Sequence, residues 1–211
     1  MQSFLKIGVV LSFIISVVSL TILIFKTYTF GKKPLYAQSK GSIQKGILYA
    51  FGRGMMPWEK ESARKHLMTY ALGITYHTGI FGAIFYLFLI VLSVDISGIL
   101  SNIYKLLFIM GLLSGLIFFF KRMLYSPLQK ISCLDDFLAN LIVNIFLACA
   151  FIQAYFKNST LLFFMVSIAM FLYIPLGKIR HCFFFFYIRF LFGLFYGRRN
   201  VLPPKKDWAK P

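Results

Sequence analysis

The chain has 211 residues, of which 59% are hydrophobic and 19% aromatic, and its mean hydropathy is +0.78. Soluble domains are closer to half apolar, so the composition excludes a soluble protein and predicts an integral membrane protein with no separate soluble domain. The formal net charge of +17 does not predict a nucleic-acid partner here. The basic residues lie between and after apolar stretches, where membrane topology and the lipid bilayer account for them.

Five apolar stretches are long enough to cross a bilayer as helices, since about 20 residues span its hydrocarbon core. They cover residues 7–25, 67–94, 104–120, 137–156 and 161–179. An aromatic segment over residues 182–196 is shorter, and we expect it to form an interfacial helix. The sequence therefore predicts an all-α bundle of five transmembrane helices over residues 1–196, followed by a basic cytoplasmic tail over residues 197–211.

The distribution of Lys and Arg predicts the orientation of this bundle. Of the 23 basic residues, 20 lie in residues 26–65, 121–130 and 178–211, and the remaining three are Lys6, Lys105 and Lys157. Basic loops stay in the cytoplasm, so we expect the N-terminus outside and the C-terminus inside. An odd number of spans is needed for that arrangement.

Three histidines are the candidate functional residues, because two imidazoles on different membrane helices can hold one haem iron. His77 lies well inside the second apolar stretch, where an ionisable side chain indicates a functional site. His66 lies at the start of the same stretch, and His181 follows the fifth. Each has a plainer interpretation: a helix–helix hydrogen bond for His77 and a basic interfacial residue for His66 and His181.

Glycines surround His77, and Gly73 and Gly82 are candidate cofactor contacts because a glycine lets a flat macrocycle approach the backbone. Small residues are equally typical of close helix packing in membranes, so the pattern also fits that interpretation. The three cysteines are Cys133, Cys149 and Cys182, and they lack the CxxC spacing of an iron–sulfur cluster or zinc site. We interpret them as small apolar residues.

Two segments resemble the gamma subunit of respiratory nitrate reductase and its relatives. YHTGIFGAIF, residues 76–85, is similar to the motif of that family's second span, and YIPLGKIRH, residues 173–181, is similar to the end of its fifth. Asp136, which opens the fourth stretch, also fits. The resemblance covers nearly the whole chain and extends to membrane subunits of heterodisulfide reductases and of sulfite-reductase-associated complexes.

The resemblance implies a b-type cytochrome with one haem held by His77 and His181 near the cytoplasmic side. The nitrate reductase branch has a second haem, but the corresponding positions here are Leu87 and about Phe163, which are not ligands. The depth of the residues leaves an alternative open. His66 and His181 both look interfacial and could form the pair, and a second haem on His77 would then need an axial partner such as Met170.

The function implied is electron transfer between a quinone, menaquinone or ubiquinone, and an iron–sulfur or other redox subunit docked on the cytoplasmic face. The chain would be the quinone-reactive subunit of a multi-subunit oxidoreductase in a prokaryotic inner membrane. Tyr76 and His66 are the polar groups that could meet the quinone, and residues 52–65 and the tail could dock the partner. The rival hypothesis is a haem-free membrane anchor or small transporter. Asp95 and Asp136 lie only near helix ends, however, and mark no ion path.

Overall fold

The computed structural model describes residues 2–30 and 38–204, and this part of the chain is helical, with no β-strand. Its α-helices are α1 (Gln2–Thr29), α2 (Ile43–Phe51), α3 (Glu61–Lys65), α4 (Leu67–Val91), α5 (Gly98–Leu124), α6 (Ser126–Lys130), α7 (Leu134–Phe156), α8 (Thr160–Tyr173) and α9 (His181–Arg198). Short 3₁₀ turns cover Arg53–Met55, Pro57–Glu59 and Lys178–Arg180. The predicted all-α class is confirmed.

Five of the described helical segments are long and apolar enough to cross a membrane: Gln2–Thr29, Leu67–Val91, Gly98–Leu124, Leu134–Phe156 and Lys178–Arg198. The first four contain or nearly match the predicted spans. A multi-pass membrane protein embedded in lipid is therefore the natural interpretation of this fold. The predicted domain boundary at residue 197 lies at the end of α9, and residues 205–211 of the predicted tail lie outside the described part.

The fifth membrane-length segment is not the predicted one. The stretch over residues 161–179 forms α8, whose 14 residues extend about 21 Å, less than the roughly 30 Å of a hydrocarbon core. Pro175 has no N–H to continue the helix, and Gly177 N–H turns back to the Tyr173 carbonyl. The segment Lys178–Arg198 has 21 residues, about 31 Å of helix, and is longer than the aromatic stretch alone predicted.

The chain divides into two compact units. The first contains the described residues as far as Leu20 together with Ala71–Ile179, and the second contains Thr21–Tyr70 and the described residues from Arg180 onward. The helices α1 and α4 each contribute residues to both.

The core of the first unit is built from aromatic side chains of its long helices. The fully buried members include Phe108, Phe146, Phe163, Phe164 and Phe171. The ring of Phe146 stacks on that of Phe163, with centroids 5.5 Å apart. Glycines let helices approach, and a Cβ on Gly111 would lie 3.0 Å from the Gly79 Cα. Close packing of this kind holds membrane helices together where no hydrophobic effect between helices operates.

One end of the first unit carries a charged cluster centred on Asp136. Its carboxylate accepts from the Lys178 ammonium at 2.6 Å, lies 3.3 Å from the Arg122 guanidinium and caps the backbone N–H of Cys133. The neighbouring Asp135 accepts from the Tyr173 hydroxyl and from the Lys178 backbone N–H. These bonds join the start of α7 to the end of α5 and to the turn after α8.

The second unit contains a backbone-to-backbone contact between α2 and α9. A Cβ on Gly193 would lie 2.6 Å from the Ile47 Cα, and one on Gly197 would lie 2.8 Å from the Gly46 Cα. The backbone N–H groups of Lys40 and Gly41 donate to the Arg198 carbonyl. Glycine is required at this crossing because any side chain would separate the two helices.

Candidate functional site

His77 is exposed on α4, and its Nδ1 lies 2.7 Å from the Gly73 carbonyl oxygen one turn earlier. A carbonyl oxygen only accepts, so Nδ1 carries the proton and Nε2 is the lone-pair nitrogen of the neutral ring. Metal-binding histidines are typically oriented by such a bond, which fixes both the tautomer and the ring direction. The local geometry of His77 therefore fits an axial ligand.

The two predicted glycine contacts differ in their surroundings. Apart from the neighbouring backbone of α4 itself, no atom of the described residues lies within 4 Å of where a Cβ on Gly73 would be, so the backbone beside His77 is open to a flat group. At Gly82 the corresponding space is filled by the side chain of Leu107. Gly82 therefore makes a helix–helix contact in this structure. Of the two glycines, Gly73 alone leaves space beside the backbone for a bound group.

Tyr76, unlike its neighbour His77, is buried in the first unit. Its hydroxyl and the Asn144 side-chain oxygen are both buried without a hydrogen-bond partner in the described structure. Gly115 lies against both side chains, since a Cβ there would meet Asn144 Oδ1 and the Tyr76 ring. A quinone could reach the Tyr76 hydroxyl only if the surrounding side chains moved.

The other two histidines belong to the second unit, and both are exposed. His66 ends α3 with φ −131° and ψ 52°, and its carbonyl accepts from the Tyr70 N–H as α4 begins. His181 is the first residue of α9 and follows the 3₁₀ turn Lys178–Arg180. The structure thus places His66 with His181 in one unit and His77 in the other, and the pairing of His77 with His181 stays a prediction.

The two positions that the resemblance compares with a second haem-ligand pair are packed. Leu87 and Phe163 are each 0% exposed in the core of the first unit. Met170, the sulfur ligand considered in the alternative assignment, is also buried there. Side chains therefore fill this part of the core.

The segment over residues 52–65, a predicted docking surface, is a folded part of the second unit. The Glu59 carboxylate accepts from the Tyr49 hydroxyl at 2.8 Å and from Arg53 Nε at 2.5 Å. The Tyr70 hydroxyl donates to the Met55 carbonyl at 2.6 Å. Burial and the bond to Glu59 raise the pKa of Tyr49 to about 12, and the same bond, together with Arg53, lowers the pKa of Glu59.

Arg189 is a residue whose surroundings the sequence did not predict. Its guanidinium lies 5.8 Å from the ring centroids of Phe185 and Phe192, and Nη2 donates to the Gly54 carbonyl at 3.5 Å. The sequence feature that could have drawn attention to Arg189 is a basic residue in the middle of an aromatic stretch.

No group of three or more His, Cys, Asp or Glu side chains is gathered for a metal ion within residues 2–30 and 38–204. Cys133 is exposed, Cys149 buried and Cys182 half-buried, and all three are free thiols. A haem needs only two axial side chains, so this finding concerns multi-ligand protein sites and not the histidine pair.

In comparisons with protein-family models, with curated proteins and with solved structures, nothing matches this chain. The case for a function therefore rests on the residues themselves and on the resemblance carried by residues 76–85 and 173–181.

Proposed function

We propose that this chain is a membrane cytochrome b subunit that passes electrons between a quinone and a redox subunit on its cytoplasmic face. The observation that carries the proposal is the pairing of His77 with Gly73. The Gly73 carbonyl holds the imidazole with Nε2 as the lone-pair nitrogen, and the missing Cβ leaves the adjacent backbone open. An oriented imidazole beside an open backbone is the arrangement a macrocycle needs.

His181 is the second ligand in this proposal. The turn that leads to it is anchored at Lys178, whose ammonium bonds Asp136 and whose backbone N–H bonds Asp135. Lys178 belongs to the first unit, and His181 follows it by three residues in the chain. When bound, a haem would supply a one-electron carrier, and the protein's part is to hold two imidazoles and keep water away.

One haem for each chain follows from the same residues. Leu87 and Phe163 occupy the core without an exposed surface, and neither side chain can ligate iron. The redox partner must be another chain, of the iron–sulfur or a related kind, because the three cysteines here are not spaced to hold a cluster. A quinone would meet His66, which is exposed, more readily than the buried Tyr76.

A haem-free membrane anchor or small transporter is the second candidate. It is favoured by Gly82, whose predicted cofactor space is taken by Leu107, and by the exposure of all three histidines on the surface of the chain. The two candidates differ in one measurement. The chain purified in mild detergent should give a reduced-minus-oxidised absorbance spectrum with b-type haem bands, and a spectrum without them would support the haem-free class.

A further inference from the structure

The exposed face of α9 carries an open groove of about 220 Å³ in the second unit. Its lining consists of Phe185, Ile188, Arg189 and Phe192. Three of these are apolar and 38–59% exposed, so they offer a surface suited to hydrocarbon. The fourth puts a permanent positive charge at the groove, because a guanidinium does not lose its proton in proteins.

Arg189 has no carboxylate within ion-pair distance in the described part of the chain. Its contacts there are the faces of Phe185 and Phe192 and the Gly54 carbonyl. The described ion pairs of the second unit are Arg53 with Glu59 and Lys65 with Glu61, and they use other cations. Within residues 2–30 and 38–204, the half-buried guanidinium packs against aromatic rings and no carboxylate compensates its charge.

Lys60 is a second cation in this region. Its ammonium lies 6.0 Å from the Tyr70 ring centroid and has no carboxylate within ion-pair distance among the described residues. Burial, and then the positive charge of Arg189, lower the pKa of Lys60. A bound anion would offset the repulsion between these two positive charges.

We propose that this groove, with Arg189 in its lining and Lys60 in the same unit, binds one anionic phospholipid. The two cations hold the phosphate, and the acyl chain lies against the aromatic wall of α9. Apolar wall and positive charge together select a molecule with both a hydrocarbon chain and a phosphate, as an anionic lipid has. An acidic surface on a partner protein would match the charge but would leave the groove without an apolar ligand.

The site also bears on how α9 lies in the bilayer. Arg189 is nine residues from the end of the helix at Arg198 and eight from its start at His181. If α9 crossed the membrane, the guanidinium would lie near the bilayer centre, where a charge is costly. A lipid phosphate at Arg189 places this part of α9 at the headgroup level, which agrees with an interfacial helix.

The test is lipid binding to the full chain in detergent, followed by native mass spectrometry. Phosphatidylglycerol is titrated against phosphatidylcholine with the same acyl chains, and the wild-type chain should prefer the anionic lipid by at least about tenfold. Lys60→Gln with Arg189→Gln should weaken phosphatidylglycerol binding roughly 25-fold, about fivefold for each charge. Lys60→Arg with Arg189→Lys should retain most of the binding.

The matched control is Lys40→Gln with Lys45→Gln, which removes the same charge from two exposed positions of the second unit and should change binding less than twofold. Equal binding of the two lipids by the wild-type chain would overturn the proposal, and that comparison needs no variant to fold. Equal phosphatidylglycerol binding by the Lys60/Arg189 double variant and by the control variant would also overturn the proposal. That result is expected if the surface docks a protein instead of a lipid. Displacement of the lipid by millimolar inorganic phosphate would show a site for phosphate without the acyl chain and would also refute it.

Discussion

Gly79 of α4 and Gly111 of α5 meet with no side chain between them. A Cβ on Gly79 would lie 2.9 Å from the Gly111 Cα and 3.2 Å from the Leu107 carbonyl oxygen. Those neighbours are backbone atoms, which cannot rotate away. The crossing of the two helices in the first unit therefore depends on the absence of a Cβ at this point.

Gly79→Ala should destabilise the chain by roughly 1–3 kcal/mol, because the added methyl group must push two backbones apart. Gly73→Ala is the matched control on the same helix, where no described residue outside the local backbone of α4 lies near the added methyl group, and should be neutral or stabilising by up to about 1 kcal/mol. Thermal unfolding in detergent measures both. Identical melting temperatures for the two variants would mean that the helices do not cross at these glycines.

His77→Ala and His181→Ala should each abolish haem retention, since each removes one axial ligand of the proposed pair. His66→Ala should leave most of the haem in place. A pyridine haemochrome assay on the purified chain gives the ratio, which should be one haem per chain in the wild type. Two haems per chain, or loss of haem from His66→Ala with His77→Ala tolerated, would favour the alternative pairing of His66 with His181.

Asp136→Asn should lower stability by about 1–2 kcal/mol, because the carboxylate is 14% exposed, bonds two cations and caps the start of α7. Asp95→Asn is the comparison, since that carboxylate is 79% exposed and its pair with Lys157 is 3.4 Å long. Exposed pairs contribute between 0 and about 1 kcal/mol. Chemical or thermal unfolding should show a larger loss of stability for Asp136→Asn than for Asp95→Asn. An equal loss in the two variants would argue against a structural role for the Asp136 cluster.

Glu59 should make the folding of the second unit sensitive to acid. Its pKa is lowered in the folded state by the bonds from Tyr49 and Arg53, so its contribution is present above the ordinary carboxyl value of about 4.3. The contribution is lost as the pH falls below that value and through the folded pKa.

The neighbouring Trp58 is 63% exposed and can report this change by fluorescence in a Trp208→Phe background. Glu59→Gln should remove the change in Trp58 fluorescence that is expected as the pH falls below about 5. Glu61→Gln should not, because Glu61 is 74% exposed and its described ion pair is the one with Lys65. A transition unchanged in Glu59→Gln would assign the acid sensitivity to another group.

The N-terminus should lie outside and the C-terminal part inside, because the basic residues are concentrated in residues 26–65, 121–130 and 178–211. Single cysteines at Ser3 and Val201, in a chain without its three native thiols, can be labelled with an impermeant reagent in intact cells. Only the cysteine at position 3 should react. Equal reactivity of the two would mean an even number of spans, with α8 and the segment Lys178–Arg198 either both crossing the membrane or both not crossing it.

The sequence by itself determined that this chain is helical and built for a membrane. The start of α4 at Leu67 and the end of α7 at Phe156 coincide with the predicted limits, because a long apolar run has no stable alternative to a helix in lipid. The same sequence has Pro175 and Gly177 near the end of the fifth stretch, and α8 ends just before them.

Only the tertiary structure decided which side of each helix faces a neighbour. Lipid tails are as apolar as a protein core, so these helices are apolar all round and no periodic pattern distinguishes an inner face from an outer one. Tyr76 is buried and His77 exposed although they are adjacent, and Gly82 is packed against Leu107 while Gly73 is open. Arg189 likewise contacts Gly54, which lies 135 residues earlier in the chain. The residues next to Arg189 in sequence do not specify this contact, because it depends on how α9 packs.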